Sequence, residues 1–284
     1  SLDFGPGTIK SAAGINLSPD LQVPGTLNSL SYGNEIIINT RAPQVESFST
    51  INPDGRYSVG QNIVIRATLS EEVAANQTFK LVLDTGVGRT VDMTTDGSTR
   101  ASGIYTIQPG DSSDALKVLD ILPELLADAA GNSLLTTLPS SITVGNIIVD
   151  TQAPTITNFN VTEINGSPAS ASESGLFGVG STLRIEATTS EEVRAGSTIE
   201  ATLNNGDVVR LSAATAGTTL SGTYTVGSDS SSTTPDLSVD SFTPIVMRDV
   251  AGNPIVDTTL PAFPNNIGDV HDLEIDTTPP NVVE

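Results

Sequence analysis

Acidic side chains occur in three short strings of this sequence whose chemistry suits cation binding. Glu191 and Glu192 belong to the string SEEV, Asp249 opens the string DVAGN, and Asp150 opens the string DTQAP. Carboxylates are hard oxygen ligands, and Ca²⁺ accepts six to eight oxygens in flexible geometry. The first hypothesis is therefore a calcium site that uses the following residues, provided that the fold brings them together: Asp150, Glu191, Glu192 and Asp249.

A second set of the same residue types lies earlier in the chain. It contains Glu71, Glu72 and Asp128, whereas Asn39 stands where the later set has its aspartate. Arg41 also brings a positive charge to this linker. Two outcomes stay open for this set. Either Asn39 and the three carboxylates hold a second calcium ion, or a contact between Arg41 and a carboxylate replaces the ion.

Both sets lie within an internal repeat. The segment VGQNIVIRATLSEEV (59–73) returns as VGSTLRIEATTSEEV (179–193), and SGIYTI (102–107) returns as SGTYTV (221–226). The offset is about 120 residues in each case, which indicates tandem domains rather than one catalytic globule.

The repeat predicts four segments. Residues 39–149 and 150–275 are complete copies, residues 1–38 match the C-terminal part of a preceding copy, and residues 276–284 match the start of a following copy. We therefore expect a segment of a longer repetitive polypeptide. Residues 1–38 would hold only the last two strands of their copy. Because a lone hairpin is marginally stable, we expect it to pack on neighbouring chain or on another molecule by strand addition.

The composition argues against several function classes. A formal charge of −21, with 12 Lys+Arg against 33 Asp+Glu, opposes binding to nucleic acid and to anionic membrane surfaces. Cations are the natural partners of such a chain. The alternative is that the acidic loops are ordinary solvated surface, because the whole chain is acidic. Without cysteine the chain has no disulfide and no Cys/His zinc site. It also has no apolar run of roughly 18 residues, so we expect no membrane insertion in this segment.

Catalytic chemistry is not indicated, and we expect no enzyme. His271 is the only histidine, and its place beside the last linker predicts an ordinary surface residue rather than a general base. The pairs Glu71–Glu72 and Glu191–Glu192 do not suit glycoside hydrolysis, because adjacent residues at a strand end point to opposite sides. The chain also has no Trp to form a platform for a sugar.

Apolar and polar residues alternate with period two in each copy, which is typical of half-buried strands. The run Pro123–Ala130 favours only a turn or a short 3₁₀ piece, because Gly131 follows it. In the first complete copy we predict seven strands: 44–51, 59–69, 77–84, 88–94, 102–108, 115–121 and 134–149. Seven short strands in about 110 residues fit a two-sheet sandwich of immunoglobulin (Ig) type. The predicted inward residues are Ile63, Ile65, Ala67, Tyr105, Leu116 and Val118, with Leu183, Ile185, Ala187, Tyr224, Leu237 and Val239 in the second copy.

Four strings together carry a resemblance to a known family. The D-T-x-A-P opening at Asp150, the SEEV string, the S-G-x-Y-T strand and the D-x-A-G-N turn resemble the bacterial Ig-like repeats of large surface adhesins. The resemblance implies an all-β chain of tandem seven-stranded Ig-like β-sandwiches, with a partial sandwich of the last two strands at the N-terminus. It also implies an extracellular structural or adhesion module, secreted or at the cell surface, whose junctions are stiffened by calcium as in cadherins.

The strand course predicts where the acidic loops lie. In an up-and-down course the even strands return to the linker end, so the loops after strands two and six should meet Asp150 there.

The expected partners are neighbouring repeats of the same polypeptide, with lateral self-assembly as a further expectation. Two other functions stay open: a module that binds a protein or glycan through one loop face, and an accessory domain of a secreted hydrolase. Thr162–Gly175, inserted only in the second copy, is the best place for a unique contact, and its composition favours a flexible loop.

Overall fold

The structure is a computed structural model that describes residues 37–228 and 233–280, together with residues 12, 13, 23, 25–27, 29, 32 and 33. Strands dominate, and the sheets are mostly antiparallel, so the predicted all-β class is confirmed. Most of segment 1–38 lies outside the described residues, and its two strands stay a prediction. In the parts of the chain that the structure describes, no helix is long and apolar enough to cross a membrane.

The strands between residues 45 and 150 form two sheets. In chain order they are β1 Val45–Thr50, β2 Gly55–Tyr57, β3 Asn62–Leu69, β4 Thr78–Leu83, β5 Thr90–Thr95, β6 Arg100–Thr106, β7 Ser112–Ser113, β8 Val118–Pro123 and β9 Ile147–Asp150. The larger sheet has the order β1-β3-β6-β5-β4-β8, and the smaller has the order β2-β9-β7. Ile63 of the larger sheet and Ile147 of the smaller belong to one buried cluster, so this half is built like a sandwich.

The later residues repeat this arrangement strand for strand. Their elements are β10 Ile156–Ile164, β11 Ser167–Pro168, β12 Ser174–Phe177, β13 Thr182–Val193, β14 Thr198–Leu203, β15 Val208–Ser212, β16 Gly217–Thr225, β17 Thr233–Thr234, β18 Val239–Val246, α1 Ile267–Val270 and β19 Asp272–Asp276. The larger sheet runs β11-β10-β13-β16-β15-β14-β18, and the smaller runs β12-β19-β17. Apart from the added β11, both strand orders match those of the first half. A second buried cluster, from Ile156 to Ile275, fills this half.

The alternation of side chains accounts for the two cores. In β3, Ile63, Ile65 and Ala67 are buried while Arg66 between them is exposed, as a strand with one wet face requires. All the residues predicted to face inward are at most 4% exposed, which confirms the face assignment in both halves.

Steric crowding explains why glycine occupies the second position of the S-G-x-Y-T string. A Cβ on Gly103 would lie 2.4 Å from the Asp92 carbonyl oxygen, and a Cβ on Gly222 would lie 2.1 Å from the Arg210 carbonyl oxygen. Neither distance is tolerable, so only glycine lets the neighbouring strand approach this closely.

Strand direction brings the linker and two loops to one end of each half. Pairings along the larger sheet are antiparallel, so β3 and β8 run the same way and the loops after them leave the sheet at one edge. The start of β1 lies at that edge too, because β1 pairs antiparallel with β3. The same holds for β10, β13 and β18. The predicted direction of the loops is thus confirmed, although the strand order is not sequential, since β3 pairs with β6 and β4 with β8.

Three local predictions need correction. The last strand of the first copy is only Ile147–Asp150, because the preceding residues make isolated bridges at Leu135 and Thr143 and then turn at Gly145, whose φ is +66°. Thr162–Gly175 is not a plain loop: β10 and β11 form a hairpin, and β12 begins at Ser174. Helix α1 was not expected; Asn266 and Asp269 form a capping box that starts it.

Candidate metal centre

Three of the four carboxylates predicted for the later calcium site converge. Ligand oxygens of Asp150, Glu191 and Asp249 all lie within 4.8 Å of one another, with Asp249 buried and the other two partly buried. They come from the end of β9, the end of β13 and the loop after β18. Glu192 does not join them, because the next residue along a strand points to the other side, and its side chain is exposed.

Asp249 is held in place by its own turn. Its Oδ1 accepts hydrogen bonds from Gly252 N at 2.5 Å and Asn253 N at 2.7 Å, and its Oδ2 accepts one from Asn253 Nδ2 at 2.8 Å. The same Asn253 amide donates to the Asp150 carbonyl oxygen at 2.9 Å. Asn253 therefore fastens the linker to the loop after β18 and satisfies a buried carboxylate.

Asp150 makes contacts in both directions along the chain. Its Oδ1 accepts a hydrogen bond from Gln152 N at 3.1 Å, which closes a turn within the linker. Its Oδ2 lies 3.6 Å from a guanidinium nitrogen of Arg56 in β2, so a cation from the first half reaches the acidic group. Thr151 Oγ1 also donates to the Asp111 carbonyl oxygen at 2.8 Å. The linker is thus bonded to both halves.

Glu191 carries the electrostatic consequence of this convergence. Desolvation by burial, followed by the charges of Asp150 and Asp249, raises the pKa of Glu191 to about 7, and the charge of Arg56 acts in the opposite direction. The single positive charge of Arg56 therefore does not balance the negative charges of the three carboxylates. A divalent cation would favour the ionised form of Glu191 and release its proton.

The earlier set of residues is closed by hydrogen bonds instead. Asn39 Nδ2 donates to Glu71 Oε2 at 3.1 Å and to Asp128 Oδ2 at 2.8 Å. Asn132 Nδ2 donates to the Asn39 carbonyl oxygen at 3.1 Å and to Asp128 Oδ2 at 2.8 Å. This Asn132 contact, with further hydrogen bonds from the turn, lowers the pKa of Asp128. Glu72 is exposed and stands apart, as Glu192 does.

The sequence suggested a contact between Arg41 and a carboxylate here, and that suggestion is wrong. Among the described residues Arg41 forms no ion pair, and its backbone N–H donates to Asn39 Oδ1 at 2.9 Å. The Asn39 side-chain amide occupies the position between the two carboxylates. An amide held by two acceptors loses less conformational freedom than a long arginine would, and it needs no desolvation of a full charge.

The two arrangements are named here for their linker residues. The Asn39 junction consists of Asn39, Glu71, Asp128 and Asn132; the Asp150 junction consists of Asp150, Glu191, Asp249 and Asn253. A third linker begins in the same way, because Asp276 Oδ1 accepts a hydrogen bond from Thr278 N at 2.8 Å.

Comparisons with known proteins supply no family for these junctions. No family model matches this chain, and no curated protein matches it in sequence. Any function must therefore be argued from the chemistry of the chain itself.

Sequence reasoning missed two residues that matter at this end of the molecule. Arg56 gave no signal, because its approach to Asp150 depends on the pairing of β2 with β9. Asn253 belongs to the D-x-A-G-N turn, but its bond to the Asp150 carbonyl oxygen joins positions 103 residues apart, which no local pattern shows.

His271 also departs from expectation. It was predicted at the surface, yet it is 4% exposed and both ring nitrogens have hydrogen-bond partners. The prediction failed because Glu173, within the inserted stretch Thr162–Gly175, bonds to the ring, whereas Gly145 at the corresponding position of the first copy is exposed. Its two hydrogen-bond partners are the backbone N–H of Glu173 and the side-chain oxygen of Asn160, and neither is a nucleophile.

Proposed function

We propose that this chain is a spacer segment of a long extracellular, secreted or surface-attached polypeptide. In this proposal residues 39–149 and 150–275 are tandem Ig-like sandwiches, and their work is mechanical: they hold a more distal part at a set distance and direction. Support comes from the repetition of fold and junction in the two halves. Its natural partners are the neighbouring repeats of the same polypeptide.

One observation carries the proposal: each linker is fastened to the half that follows by the same amide. Asn132 reaches the Asn39 carbonyl oxygen, and Asn253 reaches the Asp150 carbonyl oxygen, at 3.1 and 2.9 Å. A catalytic or receptor site has no need to repeat a linker contact. A spacer does, because each linker that is free to rotate adds flexibility to the array.

We further propose that Ca²⁺ stiffens the Asp150 junction and not the Asn39 junction. At the Asn39 junction a neutral amide donates to both carboxylates. At the Asp150 junction the same position carries a third carboxylate, which has only acceptor atoms. A hard cation then takes the part that the amide nitrogen plays in the first half, with Asp150, Glu191 and Asp249 supplying oxygens.

Calcium binding at this position would restrict rotation between the halves. Asp150 belongs to the linker and faces Arg56 of the first half, whereas Glu191 and Asp249 belong to the second half. An ion that ligates all three carboxylates fixes the linker to the second half. Removing the ion restores repulsion among them, and the linker loosens.

The test is a distance measurement between the halves. Because the chain has no cysteine, spin labels can be placed at Val87→Cys and Val208→Cys, two exposed positions in different halves. We expect a narrow distance distribution in calcium and a broader one in chelator. In the matched variant Asp150→Asn, both conditions should give the same narrow distribution. Equal widths for the wild-type chain with calcium and with chelator would contradict the calcium proposal.

A further inference from the structure

The imidazole of His271 joins three parts of the second half. It lies between α1 and β19, its Nδ1 accepts a hydrogen bond from the backbone N–H of Glu173 at 3.0 Å, and its Nε2 lies 2.7 Å from Asn160 Oδ1 in β10. Residues 170–177, which include β12, are thereby tied to the rest of the half. We call these residues the strap.

The hydrogen bonds fix the protonation state of the ring. Because Nδ1 accepts from a backbone N–H, it carries no proton, and the single proton of the neutral ring sits on Nε2 and is donated to Asn160 Oδ1. Protonation would place a second N–H on Nδ1, directly opposite the N–H of Glu173. The bond to the strap would then be lost and replaced by a repulsive contact.

The surroundings of His271 give little help to a charged ring. The side chain is 4% exposed, and burial lowers its pKa, while the charge of Glu173 acts in the opposite direction. The Glu173 carboxylate accepts hydrogen bonds from Ser170 N at 2.9 Å and Ser170 Oγ at 2.7 Å, so it is already committed within the strap.

The other acidic groups on neighbouring elements do not contact the ring in the hydrogen bonds described. Asp269 of α1 is exposed and accepts from Asn266 N at 2.9 Å, and Asp272 of β19 is exposed. Glu186, which pairs with Asn160 in the sheet register, lies against Arg184 at 3.2 Å.

We propose that His271 is an acid-sensitive latch, which holds the strap on β19 when neutral and releases it when protonated. The strap has few other bonds at this end. Asp272 N donates to the Glu173 carbonyl oxygen at 2.9 Å, and β12 then pairs with β19 in parallel over four residue positions. Release would leave β19 with one open edge and free residues 170–177 from the sheet.

The first half supplies a matched control. There β2 pairs with β9 in the same parallel register, with Ile147 in the place of Leu273, so the residue that corresponds to His271 is Gly145 and the next residue is Asn146. Its Nδ2 donates to Asp54 Oδ2 at 2.8 Å, so an amide that does not titrate holds the equivalent strand. The latch is therefore a property of the second half alone.

The sign of the pH dependence follows from the lowered pKa. A histidine whose pKa is lower when the strap is attached favours attachment above its ordinary value of 6.5, and the preference declines as the pH falls below that value. Each unit of pH between 6.5 and the lowered pKa should increase the open population of the strap by up to about tenfold.

The experiment combines NMR titration of the single histidine with amide exchange of the whole chain. We expect the imidazole to titrate below 6.5 and, over the same pH range, exchange in β12, corrected for intrinsic rates, to accelerate while β2 stays protected. The His271→Asn variant, whose side chain does not titrate, should lose this pH dependence.

Three results would overturn the latch. These are a titration at or above 6.5, unchanged protection of β12 once the NMR signal shows a charged ring, or a ring that stays neutral until the entire half unfolds. If His271→Asn does not fold, the wild-type titration and the β2 control still decide the question. Calcium plays no part in this test, so its outcome is independent of the junction proposal.

Discussion

The Asn39 junction and the Asp150 junction share their geometry and differ in one atom of the linker side chain. Both place the linker residue against the first glutamate of the SEEV string and the aspartate of the D-x-A-G-N turn. Asn39 supplies an N–H₂ group that both carboxylates can accept from, whereas Asp150 supplies another oxygen. The same loop framework is therefore closed by hydrogen bonds when the linker residue is Asn, and it holds three acidic side chains close together when the linker residue is Asp.

Making the first junction resemble the second should have the largest effect. Asn39→Asp removes two hydrogen bonds to carboxylates and adds a third negative charge beside Glu71 and Asp128. Without calcium we expect a loss of about 3 kcal/mol in the free energy of unfolding of the first half. Calcium should restore most of it, because the ion binds the folded form. Urea unfolding with calcium and with chelator checks this; a loss that calcium leaves unchanged would mean that the new site holds no ion.

The reverse change should be smaller and opposite in sign. Asp150→Asn gives Glu191 and Asp249 a shared amide donor, and we expect a gain of about 2 kcal/mol in the second half under chelator. The weak contact with Arg56, at 3.6 Å and partly exposed, is little to lose. Calorimetry in chelator measures the gain. If the variant were less stable than the wild-type chain under these conditions, the comparison between the junctions would fail.

The pH dependence of the second half should follow Glu191. Its pKa is raised from 4.5 to about 7, so its contribution to stability is present below 4.5 and is lost as the pH rises through about 7. Allowing for solvent screening of a partly exposed group, we expect a change of about 1 kcal/mol over that range in chelator. Glu191→Gln should remove it. A dependence that survives this substitution would have to come from another group.

The smallest effect should come from Arg56. Arg56→Gln removes the positive charge that lowers the pKa of Glu191, so the carboxyl should titrate at still higher pH. Calcium should bind roughly two- to threefold more tightly, since a like charge near the ion is gone, worth about 0.5 kcal/mol for an exposed pair. NMR of the Glu191 carboxyl group tests the shift in its titration, and a calcium titration tests the change in affinity. A weaker calcium affinity would indicate that Arg56 positions Asp150 rather than competes with the ion.

Much of this arrangement could be predicted from the sequence because it depends on periodicity and repetition. Alternation in β3 and β13 fixed which side chains face inward, and strand direction put the SEEV and D-x-A-G-N loops beside the linker. The first inference needs only the period of a strand, and the second needs only that successive predicted strands run in opposite directions.

The remainder depends on contacts that no local pattern encodes. The role of Asn39 as a bridge depends on a side-chain orientation, and the approach of Arg56 to Asp150 depends on a parallel pairing of short strands. The burial of His271 depends on how an insertion folds back over it. Glu72 and Glu192 adjoin Glu71 and Glu191 in the sequence, but both are exposed whereas Glu71 and Glu191 are partly buried; at Glu192 the cause is strand alternation.

The most direct test of the central claim is the number of calcium ions bound by three chains in isothermal titration calorimetry. We expect one tightly bound ion for the wild-type chain, none for Asp150→Asn and two for Asn39→Asp, because each Asp at the linker position creates a site and each Asn closes one. The same stoichiometry in all three chains, or no binding by the wild-type chain, would contradict it.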